Sequence, residues 1–200
     1  MNKPRVIFPF TEAGFGHIMP LKSIADEFER LYGDKAECVR SNFFTEGGDE
    51  KLAELQDCFK AEVVKHNKSA FYGYMTMLGM DVLGSRGAVN AVMSVWKPGT
   101  KERGIKHMDE LKPDMVVSTH WATNYYAKQC NSKPLTANYC PDAEIYDVFR
   151  YPCDLMMISA ETGYERALKR HFIRFNKDNL KLVPFLIRNE VFSASTDKRA

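Results

Sequence analysis

A turn that pairs two glycines with a histidine is the segment of this sequence best suited to chemistry. Gly14, Gly16 and His17 follow an apolar run near the N-terminus. Glycines two positions apart let the backbone turn tightly and approach a ligand closely. Because the unperturbed pKa of an imidazole lies near about 6.5, His17 could take a proton from a substrate at neutral pH. His17 is therefore a candidate general base, and helix capping or packing against a sheet is the alternative.

This turn departs from the common nucleotide-binding loops. The dinucleotide fingerprint GxGxxG needs a third glycine for close helix–strand packing, and Met19 stands in its place. The phosphate-binding pattern GxxxxGK followed by Ser or Thr does not occur in the sequence. We therefore expect neither a nicotinamide site nor a P-loop, and the sequence predicts no cofactor.

Apolar runs alternate with helical patterns along the chain, which predicts an α/β fold with a Rossmann-like, doubly wound, mainly parallel sheet. The predicted strands are 5–10, 37–44, 61–64, 115–118, 135–140, 154–159 and 180–185. The first helix is expected over residues 20–32, where apolar residues recur on one face. Ligands of such sheets bind beyond the carboxyl ends of the strands, so the loops that follow the strands should carry the site.

Composition and charge narrow the classes of function. The 200 residues include 28 basic and 26 acidic side chains, and this net charge of +2 does not support a nucleic-acid binder. Five scattered cysteines without a CxxC pair argue against a disulfide framework or a zinc site and favour reduced thiols. We find no signal-peptide pattern and no run of about 18 apolar residues. We therefore expect a cytoplasmic protein with no metal site.

Five motifs, taken in order, resemble segments of one enzyme family. Residues 16–21 are similar to its Gly-His-x-x-Pro turn, and residues 112–120 to a strand that ends in Thr-His. Residues 137–142, 151–162 and 182–188 resemble three later strands and the segments after them. The sequence therefore resembles the N-terminal domain of GT-B glycosyltransferases. It is most similar to the monogalactosyldiacylglycerol synthase and processive diacylglycerol glucosyltransferase group, which belongs to the MurG-like UDP-glycosyltransferases.

The resemblance implies a function for the intact enzyme. Residues 1–188 would form the acceptor-binding domain of an inverting glycosyltransferase, which moves a hexose from a UDP-sugar to an acceptor hydroxyl. The expected acceptor is a lipid such as diacylglycerol. Residues 189–200 would be a linker into a donor-binding domain that is missing here, so the UDP-sugar would bind through that domain. The isolated chain is then expected to be inactive.

The resemblance also assigns roles to individual residues. His17 matches the family's catalytic base, and Gly14, Phe15 and Gly16 would shape the loop beside the donor phosphates and the acceptor. Four further substrate-binding candidates follow or end later strands: Thr119, His120, Asn138 and Asp142. Thr119 and His120 could orient the base or the acceptor, with an ordinary loop histidine as the alternative for His120. Asp142 could hold one imidazole tautomer, and Asn138 replaces a strand aspartate of the family. Such enzymes need no bound metal.

Residues 69–96 form an unusual segment that is rich in aromatic residues and methionine. Gly84 and Gly87 are expected to divide it into two helices. The large side chains near Lys65, Lys68 and Arg86 are Phe71, Tyr72, Tyr74, Met75, Met77 and Met80. In lipid-glycosylating relatives this region contacts the membrane and the lipid acceptor, which the resemblance implies here as a peripheral membrane contact. The alternative is that these helices are buried on the sheet or against the missing domain.

Three hypotheses on function remain open from the sequence. The first is that the chain is part of a glycosyltransferase that acts on a lipid. The second is a non-catalytic subunit that binds the acceptor or membrane and pairs with a separate donor-binding chain. The third is an unrelated small α/β enzyme in which His17 is catalytic.

Overall fold

The computed structural model describes residues 3–12, 14–82, 86–95, 98–142, 151–169 and 177–186. Their strands form one sheet in which all neighbouring strands are parallel. The six strands are β1 (Arg5–Phe10), β2 (Glu37–Asn42), β3 (Met115–Ser118), β4 (Leu135–Cys140), β5 (Leu155–Ile158) and β6 (Leu180–Leu182). The α/β, Rossmann-like prediction is thereby confirmed.

Helices connect the strands. They are α1 (Phe15–Tyr32), α2 (Glu50–Lys68), α3 (Ala70–Val82), α4 (Arg86–Val95), α5 (Thr100–Glu110), α6 (Trp121–Gln129) and α7 (Glu161–Lys169). Parallel strands need such crossover connections, because the chain must return to the same edge before each new strand begins. None of the described helices has both the length and the hydrophobicity that a membrane span requires.

The order of the strands, β2-β1-β3-β4-β5-β6, creates one crevice at the carboxyl edge of the sheet. The chain leaves β1 to form β2 on one side, and later returns to place β3 on the other side of β1. The chain segments that follow β1 and β3 therefore leave the sheet in opposite directions. In open α/β sheets this reversal point is where ligands bind.

Two hydrophobic cores cover the two faces of the sheet. The larger core contains side chains from α2, α4, α5, α6 and α7, and the smaller core contains side chains from α1. Adjacent residues of a strand point to opposite faces, so Ala137 belongs to the smaller core and Cys140 to the larger one. A shift of one residue along a strand would therefore move each of its side chains to the other face of the sheet.

The predicted strand over residues 61–64 is wrong, because this segment continues α2. The side chain of Asp49 caps the helix by accepting hydrogen bonds from the backbone N–H groups of Lys51 and Leu52. Buried residues then recur at helical spacing through Phe59, and Val63 extends the same half-buried face. Packing of this long amphipathic helix outweighs the strand preference of the valines.

Other element boundaries also differ from prediction: β5 lacks the first and last predicted residues, and β6 ends three residues early, at Leu182. Helix α1 begins at Phe15, five residues before the predicted start, and includes Pro20. Strand β2 ends at Asn42, and Phe43 then turns into the larger core. The predicted division of residues 69–96 into two helices is confirmed by α3 and α4, but Gly87 lies within α4 and not between the helices. The predicted divider Gly84 lies outside the described residues, as do the predicted linker 189–200 and most of the loop after β4.

Candidate functional site

The loop after β1 is tied to α2 by a small polar network. The backbone N–H of Glu12 donates to Oε1 of Gln56 at 3.2 Å, and the Glu12 carboxylate lies 2.5 Å from Nζ of Lys60. The hydrogen bond from Lys60 is the main reason why the pKa of Glu12 is lowered. Asn42 donates a further bond to this carboxylate at 3.1 Å. The network fixes the path of the chain into Gly14 and α1.

Gly14 and Gly16 occupy different backbone environments. Gly14 is the N-cap residue of α1, with φ 118° and ψ 154°, a conformation that side-chain-bearing residues rarely adopt. Gly16 lies within the first turn of α1, is exposed, and has no heavy atom within 4 Å of the place that a Cβ would take. Phe15 lies between them in the same turn, and its side chain is outside the described part of the structure. The predicted loop 11–17 therefore ends at Gly14.

We expect opposite effects on stability from alanine at these two glycines. Gly14→Ala should lower the free energy of unfolding by about 1–3 kcal/mol, because the residue must stay in a conformation that disfavours a Cβ. Gly16→Ala should raise it by up to about 1 kcal/mol, because alanine favours helix and meets no clash here. Urea unfolding followed by circular dichroism measures both. Equal effects of the two variants would contradict the assigned backbone of the turn.

His17 is held by two reciprocal hydrogen bonds to Thr119. Nδ1 of His17 lies 2.8 Å from the backbone oxygen of Thr119, and Oγ1 of Thr119 donates to the backbone oxygen of His17 at 2.7 Å. His17 belongs to the first turn of α1, and Thr119 directly follows β3. The two segments that flank the crevice are thus bonded to each other across 102 positions of sequence.

The bond to Thr119 selects one tautomer of His17. A carbonyl oxygen only accepts, so Nδ1 must carry the proton of the neutral ring. The lone pair then resides on Nε2, which is the nitrogen able to take a proton. The His17 residue is half-buried, so the ring is not enclosed in the protein interior. This geometry is compatible with the general base that the sequence predicts at this position.

His120 is a buried helix cap beneath His17. Its Nδ1 accepts a hydrogen bond of 3.3 Å from the backbone N–H of Ala122, at the start of α6. Its ring centroid lies 5.0 Å from that of Phe59, 5.7 Å from that of Trp121 and 5.1 Å from that of His17. Burial lowers the pKa of His120 well below its usual value, and repulsion from His17 acts in the same direction. His120 therefore stays neutral at neutral pH, and its ring packs against that of His17.

Asp142 supplies a carboxylate near His17. It follows β4 by two residues and is exposed as a whole. Partial loss of hydration around the carboxyl raises the pKa of Asp142, and attraction to His17 opposes that rise. The two groups therefore interact electrostatically, and a positive charge on His17 would favour the ionised carboxylate.

Asn138 points to the face of the sheet that α6 covers. It lies in β4 and is buried, with Nδ2 3.7 Å from Sδ of Met156. Its neighbour Ala137 belongs to the smaller core beside α1, so the Asn138 side chain points to the opposite face, beneath α6. Its Oδ1 has no hydrogen-bond partner. Among the sequence candidates, the structure groups His17 with Thr119, His120 and Asp142.

Two contacts of the site had no clear signal in the sequence. Phe59 of α2 and Trp121 of α6 enclose the His120 ring. Trp121 follows the Thr-His motif directly, which is a hint of proximity, whereas nothing in the sequence links Phe59 to the site. Within the described residues, no group of three or more histidine, cysteine or acidic side chains is arranged to hold a metal ion.

Comparisons of the chain with protein-family models, with curated proteins and with solved structures give no significant match.

Proposed function

We propose that this chain is the acceptor-binding half of an inverting glycosyltransferase that moves a hexose from a UDP-sugar to a hydroxyl group. The observation that carries the proposal is the His17 imidazole, fixed through Nδ1 at the crevice between β1 and β3. Its Nε2 is oriented as a base, and the Gly14–His17 turn is similar to that of GT-B enzymes. The nucleotide-sugar would be bound by a second domain or a second chain across the crevice.

The proposed step needs one proton acceptor. The acceptor oxygen attacks the anomeric carbon from the face opposite UDP, the bond from that carbon to the UDP oxygen breaks, and the sugar centre inverts. Nε2 of His17 takes the hydroxyl proton as the new bond forms. The resulting imidazolium keeps its Nδ1–H bond to the Thr119 carbonyl and is attracted to Asp142. Because His120 stays neutral, no second positive charge lies next to it.

An exposed apolar face on α3 supports a lipid as the acceptor. Phe71, Tyr74, Met75 and Leu78 are 75%, 66%, 48% and 47% exposed. Their spacing of three and four residues places them on one side of the helix. These four residues are therefore not buried on the sheet. Helix α2 brings Lys65 and the exposed Lys68 to the start of α3. We propose that this face lies in the interface of a membrane that holds the lipid acceptor.

Substitutions on this face should reduce membrane binding. Replacing Phe71, Tyr74 and Leu78 together with serine should lower partition into phosphatidylglycerol-containing vesicles at least about tenfold, because apolar area is lost from the contact. Co-sedimentation with vesicles measures the change. A matched control replaces three exposed apolar residues elsewhere, Leu31, Leu135 and Phe185, with serine. Equal loss of binding in both triple variants would contradict a role for α3.

The function itself is tested by a transfer assay. The chain, joined to or mixed with a UDP-sugar-binding domain of the GT-B type, should transfer hexose from UDP-hexose to diacylglycerol with inversion of the anomeric centre. A requirement for a separately encoded domain would favour the second hypothesis, an acceptor-binding subunit. The chain alone should bind no UDP in calorimetry. Micromolar UDP affinity, or turnover of an unrelated substrate by the chain alone, would overturn the proposal.

A further inference from the structure

An apolar cavity of about 170 Å³ lies beside α1, separate from the His17 crevice. His17 contacts the loop after β3, whereas the cavity reaches Arg40 of β2, on the other side of β1. The lining residues are Phe8, Phe10, Ile18, Leu21, Lys22, Ala25 and Arg40.

The walls of the cavity are suited to a hydrocarbon. Phe8, Leu21 and Ala25 belong to the smaller core, so the inner wall of the cavity is formed by core residues. Ile18 and Phe10 are half-buried and line the outer part. Enclosed apolar cavities of about 150 Å³ take up molecules the size of benzene, and this cavity, which is open to solvent on one side, has a similar volume. The space beside α1 is therefore large enough for a short apolar chain.

The charged side chains that line the cavity are both basic. Arg40 is already engaged, with Nη2 2.8 Å from Oδ1 of Asp26 and 2.7 Å from Oε2 of Glu29. Lys22 is exposed and forms no ion pair within 4.0 Å among the described residues. No acidic residue lines the cavity. An anionic group at the mouth would thus meet the Lys22 ammonium group, with no lining carboxylate to repel it.

We propose that this cavity binds a free carboxylate amphiphile whose apolar chain has about six to eight carbons. The chain lies between β1 and α1, and the carboxylate pairs with Lys22. This site does not depend on the proposed glycosyl transfer, because it shares no residue with the His17 cluster. An alkylamine of the same length lacks this ion pair and meets Lys22 as a like charge, and an alcohol lacks the ion pair.

The test compares octanoate, octanol and octylamine as ligands of the chain. In an NMR titration with octanoate, the methyl resonances of Ile18 and Leu21 should shift until they reach a plateau. The dissociation constant should be below about 1 mM. Octanol should bind about fivefold more weakly, because it lacks the exposed ion pair. Octylamine should bind more weakly than octanoate by at least the same factor, because it meets Lys22 as a like charge. Absence of saturable shifts with octanoate, or equal binding of octylamine, would overturn the proposal.

Variants locate the ligand. Lys22→Gln should bring octanoate binding down to the octanol level, whereas Lys35→Gln, an exposed lysine outside the lining, should leave it unchanged. Ala25→Leu fills the cavity and should abolish the binding of octanoate and octanol. If Ala25→Leu does not fold, Ile18→Trp, which fills the outer part of the cavity, serves as the second variant and should have the same effect. Unchanged octanoate binding in the Lys22 variant and in the folded filling variant would place the ligand elsewhere and refute the site.

Discussion

Replacing His17 with alanine should lower kcat/KM for hexose transfer by the assembled enzyme about 10²- to 10⁴-fold. The reason is that Nε2 is the only nitrogen of this ring able to take a proton, since Nδ1–H is bonded to the Thr119 carbonyl. The loss should fall on kcat, and the KM for the UDP-sugar should change little, because we propose that the donor binds to a different domain or chain. Steady-state kinetics with varied donor concentration separate the two effects.

A matched variant distinguishes the chemical role of His17 from a structural one. His17→Asn offers a side-chain N–H that can still donate to the Thr119 carbonyl, but it has no basic nitrogen. It should therefore unfold at nearly the wild-type urea concentration and remain as inactive as His17→Ala. If His17→Asn kept more than about a tenth of wild-type activity, the assignment of His17 as the base would be wrong.

The strands that position the site were predictable because their apolar runs are bounded by turn signals. Strands β1, β3 and β4 begin and end at the predicted residues. The reversal of strand order at β1 then explains why His17 and Thr119, although 102 positions apart, meet at one edge. The prediction of a strand over residues 61–64 was wrong, because Val63 and Val64 favour a strand locally while the longer helical pattern of α2 continues through them.

The interior of the site was less predictable, because it depends on register and on backbone atoms. Asn138 points to the face that α6 covers because adjacent strand residues alternate between faces, which a loop-based prediction does not resolve. Thr119 acts through its carbonyl oxygen as well as its hydroxyl, and a carbonyl carries no signal in residue type. The burial of His120 depends on Phe59, which a separate helix brings to it.

The sequence also could not decide how α3 meets its surroundings. A helix rich in aromatic residues and methionine has the same composition whether it is buried or lies in an interface. The difference lies in the neighbours: α2 packs against α3, yet Phe71 and Tyr74 remain exposed. The lipid hypothesis for this segment therefore rests on the position of α3 in the fold, and the choice of acceptor follows from it.

The largest expected effect on stability is that of Gly104→Ala in α5. A Cβ at this position would lie 2.2 Å from Cε1 and 2.5 Å from Cζ of Tyr126 in α6. The Tyr126 ring is fully buried, and its centroid lies 5.3 Å from that of Phe43 and 5.4 Å from that of Tyr125. Because the ring cannot move aside without displacing these neighbours, we expect the free energy of unfolding to fall by about 3 kcal/mol.

Gly104→Ala should also affect His17, the proposed base, through α6. The helix that Tyr126 anchors begins at the His120 cap, and the His120 ring supports that of His17. A displaced α6 should therefore reduce transfer activity even at temperatures where the variant is folded.

Gly79→Ala is the matched control, because its Cβ would meet no heavy atom within 4 Å. Urea unfolding measures both variants, and a change below about 0.5 kcal/mol for Gly104→Ala would mean that α5 can move away from α6 at little cost. In that case the α5–α6 contact would not hold His120 in place, and the support of His17 would have to come from the Thr119 bonds alone.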